Sequence, residues 1–134
     1  MIQSDIKKIV EDLIETFLDA GKISLDLRKK GLTKEIKSDN TPVSNGDLEV
    51  NKILTKKILE LTPNIPIVSE ETSENKSRDN LENFWLIDPI DGTYDYINNL
   101  DEFTINAGLI IQKKPAAGLI YAPAKNRMFY SYGD

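Results

Sequence analysis

Trp85-Leu86-Ile87-Asp88-Pro89-Ile90-Asp91-Gly92-Thr93 decides how the rest of the chain is read. Trp85, Leu86 and Ile87 predict a short buried strand, Pro89 stiffens its exit, and Gly92 allows a backbone approach that a side chain would block. Thr93 then opens a helix-like turn. Amide groups at such a start point outward with partial positive charge. The Gly92 and Thr93 nitrogens therefore suit a phosphate, while Asp88 and Asp91 suit a magnesium ion. Asp-Pro and Asp-Gly pairs also mark ordinary turns, so the flanking sequence must choose between the two readings.

Working upstream, Ile65 to Ser69 is a β-branched run that leads into Glu70 and Glu71, which puts a second acidic pair at a strand exit. Leu48, Val50, Ile53, Leu54, Ile58 and Leu61 predict a helix that begins after Ser44 and ends before Pro63. Ile6, Ile9, Val10, Leu13, Ile14, Phe17 and Leu18 recur at steps of three and four, predicting an amphipathic scaffold helix over residues 4–30 that ends near Gly31. Between the helices, Lys34 to Lys37 reads as a short extended segment and Asp39-Asn40-Thr41-Pro42 as a turn. Thr72 to Asn83 reads as a polar, mobile loop. Downstream, a short helical piece precedes three strands, Thr104 to Ile111, Ala116 to Ala122 and Met128 to Tyr132, joined by hairpin-length connections. The expected fold class is α+β, with two long helices packed on a mainly antiparallel sheet.

Composition narrows the chemistry. The 134 residues hold neither cysteine nor histidine, which removes disulfides, Cys/His zinc sites, thiol nucleophiles and histidine bases. A catalyst built from this chain must work through oxygen donors. The net charge of −5 disfavours a surface for nucleic-acid polymers. Acids gather around Glu70, Glu71, Asp88, Asp91, Asp95, Asp101 and Glu102, and such a site accepts an anionic substrate once a bound cation offsets its charge. No apolar span long enough for a bilayer and no leader pattern stands in the chain, so the expectations are a cytoplasmic protein and no stable membrane insertion, while the cradle at Gly92 and Thr93 suits a small phosphorylated substrate.

With Glu70-Glu71 ahead of the Trp85 to Thr93 stretch, the chain resembles the inositol monophosphatase superfamily of magnesium-dependent phosphatases. Lys37-Ser38-Asp39-Asn40-Thr41-Pro42-Val43-Ser44, Glu102-Phe103-Thr104-Ile105-Asn106 and Tyr121-Ala122-Pro123 resemble its bacterial 3'(2'),5'-bisphosphate nucleotidases. The resemblance implies removal of the 3'-phosphate from adenosine 3',5'-bisphosphate. It also implies that residues 1–134 are the N-terminal part of a domain pair, one layer of an αβαβα sandwich whose C-terminal α/β domain is absent here. Carried over by position, it makes Glu70, Asp88, Asp91 and the main-chain oxygen of Ile90 the Mg2+ ligands. It sets Glu70, Ile90, Asp91, Gly92 and Thr93 along the substrate, and gives Thr93, supported by Asp47, the task of activating water. A further aspartate ligand belongs to the missing half.

Bland readings stand beside these. Asp47 lies three residues after Ser44, the spacing of a helix capping pair, and Thr93 suits a turn cap. Glu71 reads as solvated or as supporting its neighbour; Asp95, Asp101 and Glu102 as surface charges; Lys52 to Lys57 as a solvated helix face. Two departures from the nucleotidase pattern stand out. Tyr94-Asp95-Tyr96 replaces a basic residue, an acid and Phe, and Gly46 replaces a common alanine, a change expected to loosen the helix start mildly. Inositol monophosphatase activity is the enzymatic alternative. An inactive truncated metal-binding or assembly fragment is the other, with a homodimer through a bare strand edge near Ser131 among its expected outcomes.

Overall fold

The structure is a computed structural model that describes residues 3–71 and 81–133. Helix α1 (Gln3–Lys30) is followed by the hairpin strands β1 (Lys34–Ile36) and β2 (Pro42–Ser44), helix α2 (Asn45–Leu61) and strand β3 (Ile67–Ser69). Then come β4 (Phe84–Asp91), the five-residue α3 (Thr93–Ile97), β5 (Thr104–Ile111), β6 (Lys114–Ala122), a 3-10 turn at Pro123–Lys125 and β7 (Arg127–Ser131). Among the described residues, five strands form one sheet in the order β3-β4-β5-β6-β7. The β3–β4 pair is parallel and the remaining pairs are antiparallel. This is the expected α+β arrangement. Most of the segment predicted as a mobile loop lies outside the described residues.

Strand alternation divides the sheet into two faces. Trp85 and Ile87 of β4, Ile105 and Leu109 of β5, and Leu119 and Tyr121 of β6 point under the helices and are buried. They meet Val10, Leu13, Phe17 and Ala20 of α1 and Val50, Leu54 and Ile58 of α2 in one core. The Trp85 indole N–H donates to Thr62 Oγ1 at 3.0 Å, which satisfies the ring's polar atom inside that core. Three residues expected in the core are exposed instead: Leu86 at 37%, Leu18 at 43% and Leu48 at 48%. Leu86 lies between the inward-facing Trp85 and Ile87, so the pleat turns it to the opposite face. Leu18 and Leu48 each follow a buried residue by one position, about 100° further round the helix.

Pro89 does not mark the exit of β4; it lies inside the strand, buried, at a register shift between Asp88 and Asp91. Proline has no N–H to give a ladder and is tolerated at such irregularities. The next hairpin is tighter than expected, because β6 begins at Lys114 and leaves Gln112 and Lys113 alone in the turn, with φ of 51° and 65°. Their amides are held from outside the hairpin: Gln112 N–H donates to Asn83 Oδ1 at 2.8 Å and Lys113 N–H to the Glu82 carbonyl at 2.9 Å. Among the described residues, no helix is long and apolar enough to cross a membrane.

Candidate active site

Four chain segments meet where β3 and β4 end. Because β3 runs parallel to β4 with Ser69 opposite Ile87, the residues that follow β3 emerge beside Asp88. The Glu70 N–H donates to the Ile87 carbonyl at 3.2 Å, extending the ladder one step past the strand. On the other side of β4, Asp88 pairs with Asn106 and Asp91 with Thr104, so three steps along β4 match two along β5. That extra residue is a bulge. It turns Ile90 into the core and leaves Asp88 and Asp91 lining the same outer depression, about 590 Å³, with Leu86 and Asn106.

Gly92 then takes φ 87°, the left-handed conformation that disfavours other residues, and delivers Thr93 to the start of α3. The Thr93 hydroxyl lies 2.9 Å from Asp47 Oδ1 and 3.2 Å from the Ile90 carbonyl. With one hydrogen to give, it has the carboxylate as its nearer acceptor. The other Asp47 oxygen accepts from the Ser44 N–H at 2.8 Å and from the Ser44 hydroxyl at 2.5 Å. Asp47 is fully buried, with one oxygen completing the capping box of α2 and the other accepting from the Thr93 hydroxyl. Just before it, a Cβ on Gly46 would collide with the hydroxyl of Tyr96, which donates to the Ser24 carbonyl at 2.6 Å. Glycine at position 46 is therefore a fit to Tyr96 and not merely a looser helix start.

The carboxylates share one field. Burial, followed by repulsion from Glu70, Asp91, Glu71 and Asp47, pushes Asp88 up to about 7. Glu71 is also raised, chiefly by burial, while Lys37 at 3.5 Å pulls it back. Its side chain is 5% exposed, so the solvated reading of Glu71 is corrected to an inward ion pair. Glu70, by contrast, is exposed at the turn. The donor set is all oxygen and carries excess negative charge, which fits a hard divalent cation. Asn106, across the ladder from Asp88, adds a buried Oδ1 with no hydrogen-bond partner among the described residues. As they stand, however, no three acids among the described residues are already grouped to hold one ion.

Sequence reasoning missed four members of this neighbourhood: Lys37 opposite Glu71, Asn106 beside Asp88, and the pair Asn51 and Ser69. Asn51 left a legible trace. It occupies the core phase of α2, four residues after Asp47 and three before Leu54, where an apolar residue would be expected. Asp101 and Glu102 do lie on the surface, paired with Arg28 at 3.2 Å and Lys125 at 2.5 Å.

A family model described as "Inositol monophosphatase family" matches residues 5–133. The chain belongs to the inositol monophosphatase family. Among relatives of this family member, the 3'(2'),5'-bisphosphate nucleotidase CysQ of Haemophilus influenzae is 38% identical over 117 residues, covering 86% of this chain and 44% of the relative. An IMPase of Thermotoga maritima superposes with a TM-score of 0.80 at 24% identity, over 92% of this chain and 47% of the other. An IMPase/NADP phosphatase solved with Mg2+ and phosphate superposes with a TM-score of 0.79 at 18% identity, over 97% and 48% respectively. The chain thus spans about half the length of these inositol monophosphatase family relatives, and the shared fold covers nearly all of it.

Proposed function

We propose that this family member is a magnesium-dependent phosphomonoesterase that removes the 3'-phosphate of adenosine 3',5'-bisphosphate to give AMP and phosphate, with residues 1–134 as the N-terminal part of its domain pair. The observation that carries the reading is a crowded acidic site, where burial and then the neighbouring acids raise Asp88 to about 7, beside a threonine hydroxyl held on a buried aspartate. Glu70, Asp88, Asp91 and the Ile90 carbonyl would hold the ion. Magnesium supplies charge neutralisation for the phosphoryl group and lowers the pKa of water.

The chain's own residues account for the remaining steps. Asp47 is locked through Ser44 and cannot swing away, so it keeps an oxygen on the Thr93 hydroxyl. A hydroxyl that donates to a carboxylate has lone pairs free to accept a hydrogen bond from an attacking water, which orients that water and gives its proton a route to Asp47. Gly92, with no side chain, leaves the amides of the turn open to a phosphate oxygen.

The substrate assignment is supported by the identity to the CysQ relative over most of the chain. The competing choice is an inositol monophosphate, favoured by Tyr94: this position beside the Gly92 turn offers an exposed ring where the nucleotidase pattern has a cation. Phosphate release from adenosine 3',5'-bisphosphate and from inositol 1-phosphate, measured with Mg2+ on the protein made from its complete coding sequence, tests the proposal. Faster turnover of the nucleotide is expected. Preference for the inositol ester overturns the substrate, and release of phosphate from neither ester overturns the activity.

A further inference from the structure

Asn51 and Ser69 form a buried polar pair that neither the ladder nor the core requires. The Ser69 hydroxyl donates to Asn51 Oδ1 at 2.5 Å, and the Glu71 N–H donates to Ser69 Oγ at 3.3 Å. Both side chains are buried, Asn51 at 7% and Ser69 at 6% exposure. The Glu71 N–H belongs to the peptide unit that joins Glu70 to Glu71. The preceding peptide unit is fixed as well, by the Glu70 N–H on the Ile87 carbonyl. The Cα of Glu70 therefore sits between two anchored peptide planes, one tied to the strand that carries Asp88 and the other tied to α2.

The pair also has a counterpart. Asp47 and Asn51 are one helical turn apart on the same buried face of α2, and Asp47 holds Thr93 on the far side of the site. Replacing both partners of a buried hydrogen bond by apolar groups of similar shape is often nearly neutral for stability, so packing alone gives little reason for a polar pair here. What an apolar pair lacks is direction.

Resting on the reading of these acids as a divalent-cation site, we propose that Asn51 is a positioning residue: through Ser69 it sets the turn that aims Glu70 and Glu71, so that α2 aligns both arms of the site by two side chains one turn apart. Supporting groups of this kind typically change metal affinity by about 10–100-fold when removed.

The test is Mg2+ titration calorimetry together with amide hydrogen exchange at Glu71, on wild type, Asn51→Leu, Ser69→Ala and Ser69→Thr. Asn51→Leu and Ser69→Ala are each expected to weaken Mg2+ about tenfold and to speed exchange at Glu71. The double variant should be no weaker than either single one, and Ser69→Thr, which keeps the hydroxyl, should bind as wild type does. A fall in melting temperature with unchanged Mg2+ affinity and unchanged Glu71 exchange overturns the inference. Ser69→Ala keeps the test usable should Asn51→Leu fail to fold. Asp88→Asn separates the two layers of argument. Binding lost there but retained in Asn51→Leu overturns positioning alone, whereas equal binding by wild type and Asp88→Asn overturns the cation site and leaves exchange at Glu71 to decide whether Asn51 holds the turn.

Discussion

The two faces of the five-stranded sheet are made from alternate residues of the same strands, yet they serve opposite ends. Under the helices, Trp85, Ile87, Ile105, Leu109 and Leu119 fill a close-packed core. On the outer face, Leu86, Asp88, Asn106 and Ile120 surround an open depression in which the buried Asn106 Oδ1 has no partner among the described residues and the Asp88 carboxyl holds its proton to about neutral pH. Stability is concentrated on one side, and the groups whose charges oppose folding are concentrated on the other. Such a division lets a small domain carry a repulsive site without dismantling its core.

The sharpest way to break this contrast is at two neighbouring residues. Trp85→Ala should cost about 4 kcal/mol, since it empties a large buried site, whereas Leu86→Ala, one step along the strand, should cost about 1 kcal/mol or less. Urea unfolding of both variants checks this, and equal costs would erase the distinction between the faces. The next effect is smaller and probes the fit between α2 and α3. Gly46→Ala should destabilise by about 2 kcal/mol through overpacking against Tyr96. In a Tyr96→Phe background the penalty should shrink but persist, because ring carbons Cε2 and Cζ also lie within 2.6 and 2.7 Å of the added atom. The same penalty in both backgrounds would show that the hydroxyl is not what fills the space.

The smallest effect lies on the outer face and depends on pH. Asp88 has a folded-state pKa of about 7, above its ordinary 3.8, so the folded protein binds a proton that the unfolded chain has already released between those values. Its favourable contribution is present below about pH 4 and is lost as pH rises through about 7. With divalent ions removed by EDTA, Asp88→Asn should therefore raise the melting temperature by roughly 4 °C at pH 8 and leave it unchanged at pH 3.5. Added Mg2+ should reverse the order at pH 8 by stabilising only the wild type. A gain that is the same at both pH values would remove the titration from the explanation.

Much of the frame was legible because it is periodic. The three-and-four spacing from Ile6 to Phe17 predicts α1 to within a residue at its start, and Ser44 with Asp47 marks the capped start of α2. The Asp88 to Thr93 turn and the acidic exit of β3 were also visible, since both depend on short local patterns. What stayed hidden depends on partners far along the chain. Lys37 finds Glu71 across 34 positions, and Asn51 finds Ser69 across 18, with no local signature beyond a polar residue in an apolar phase. Leu86 misled for another reason: three apolar residues in a row look equally buried until the pleat assigns them to faces.

The bulge at Pro89 and Ile90 has one more consequence. In an unbroken strand, positions 88 and 91 differ by an odd number, so one carboxylate would lie among the helices whenever the other faced outward. A single additional residue changes the parity of the strand midway and puts both on one side. Deleting that one residue would restore plain alternation with both acids still on one side, whereas straightening the strand at its present length would carry Asp91 through the sheet into the core. Charge placement here is thus a matter of counting as much as of composition.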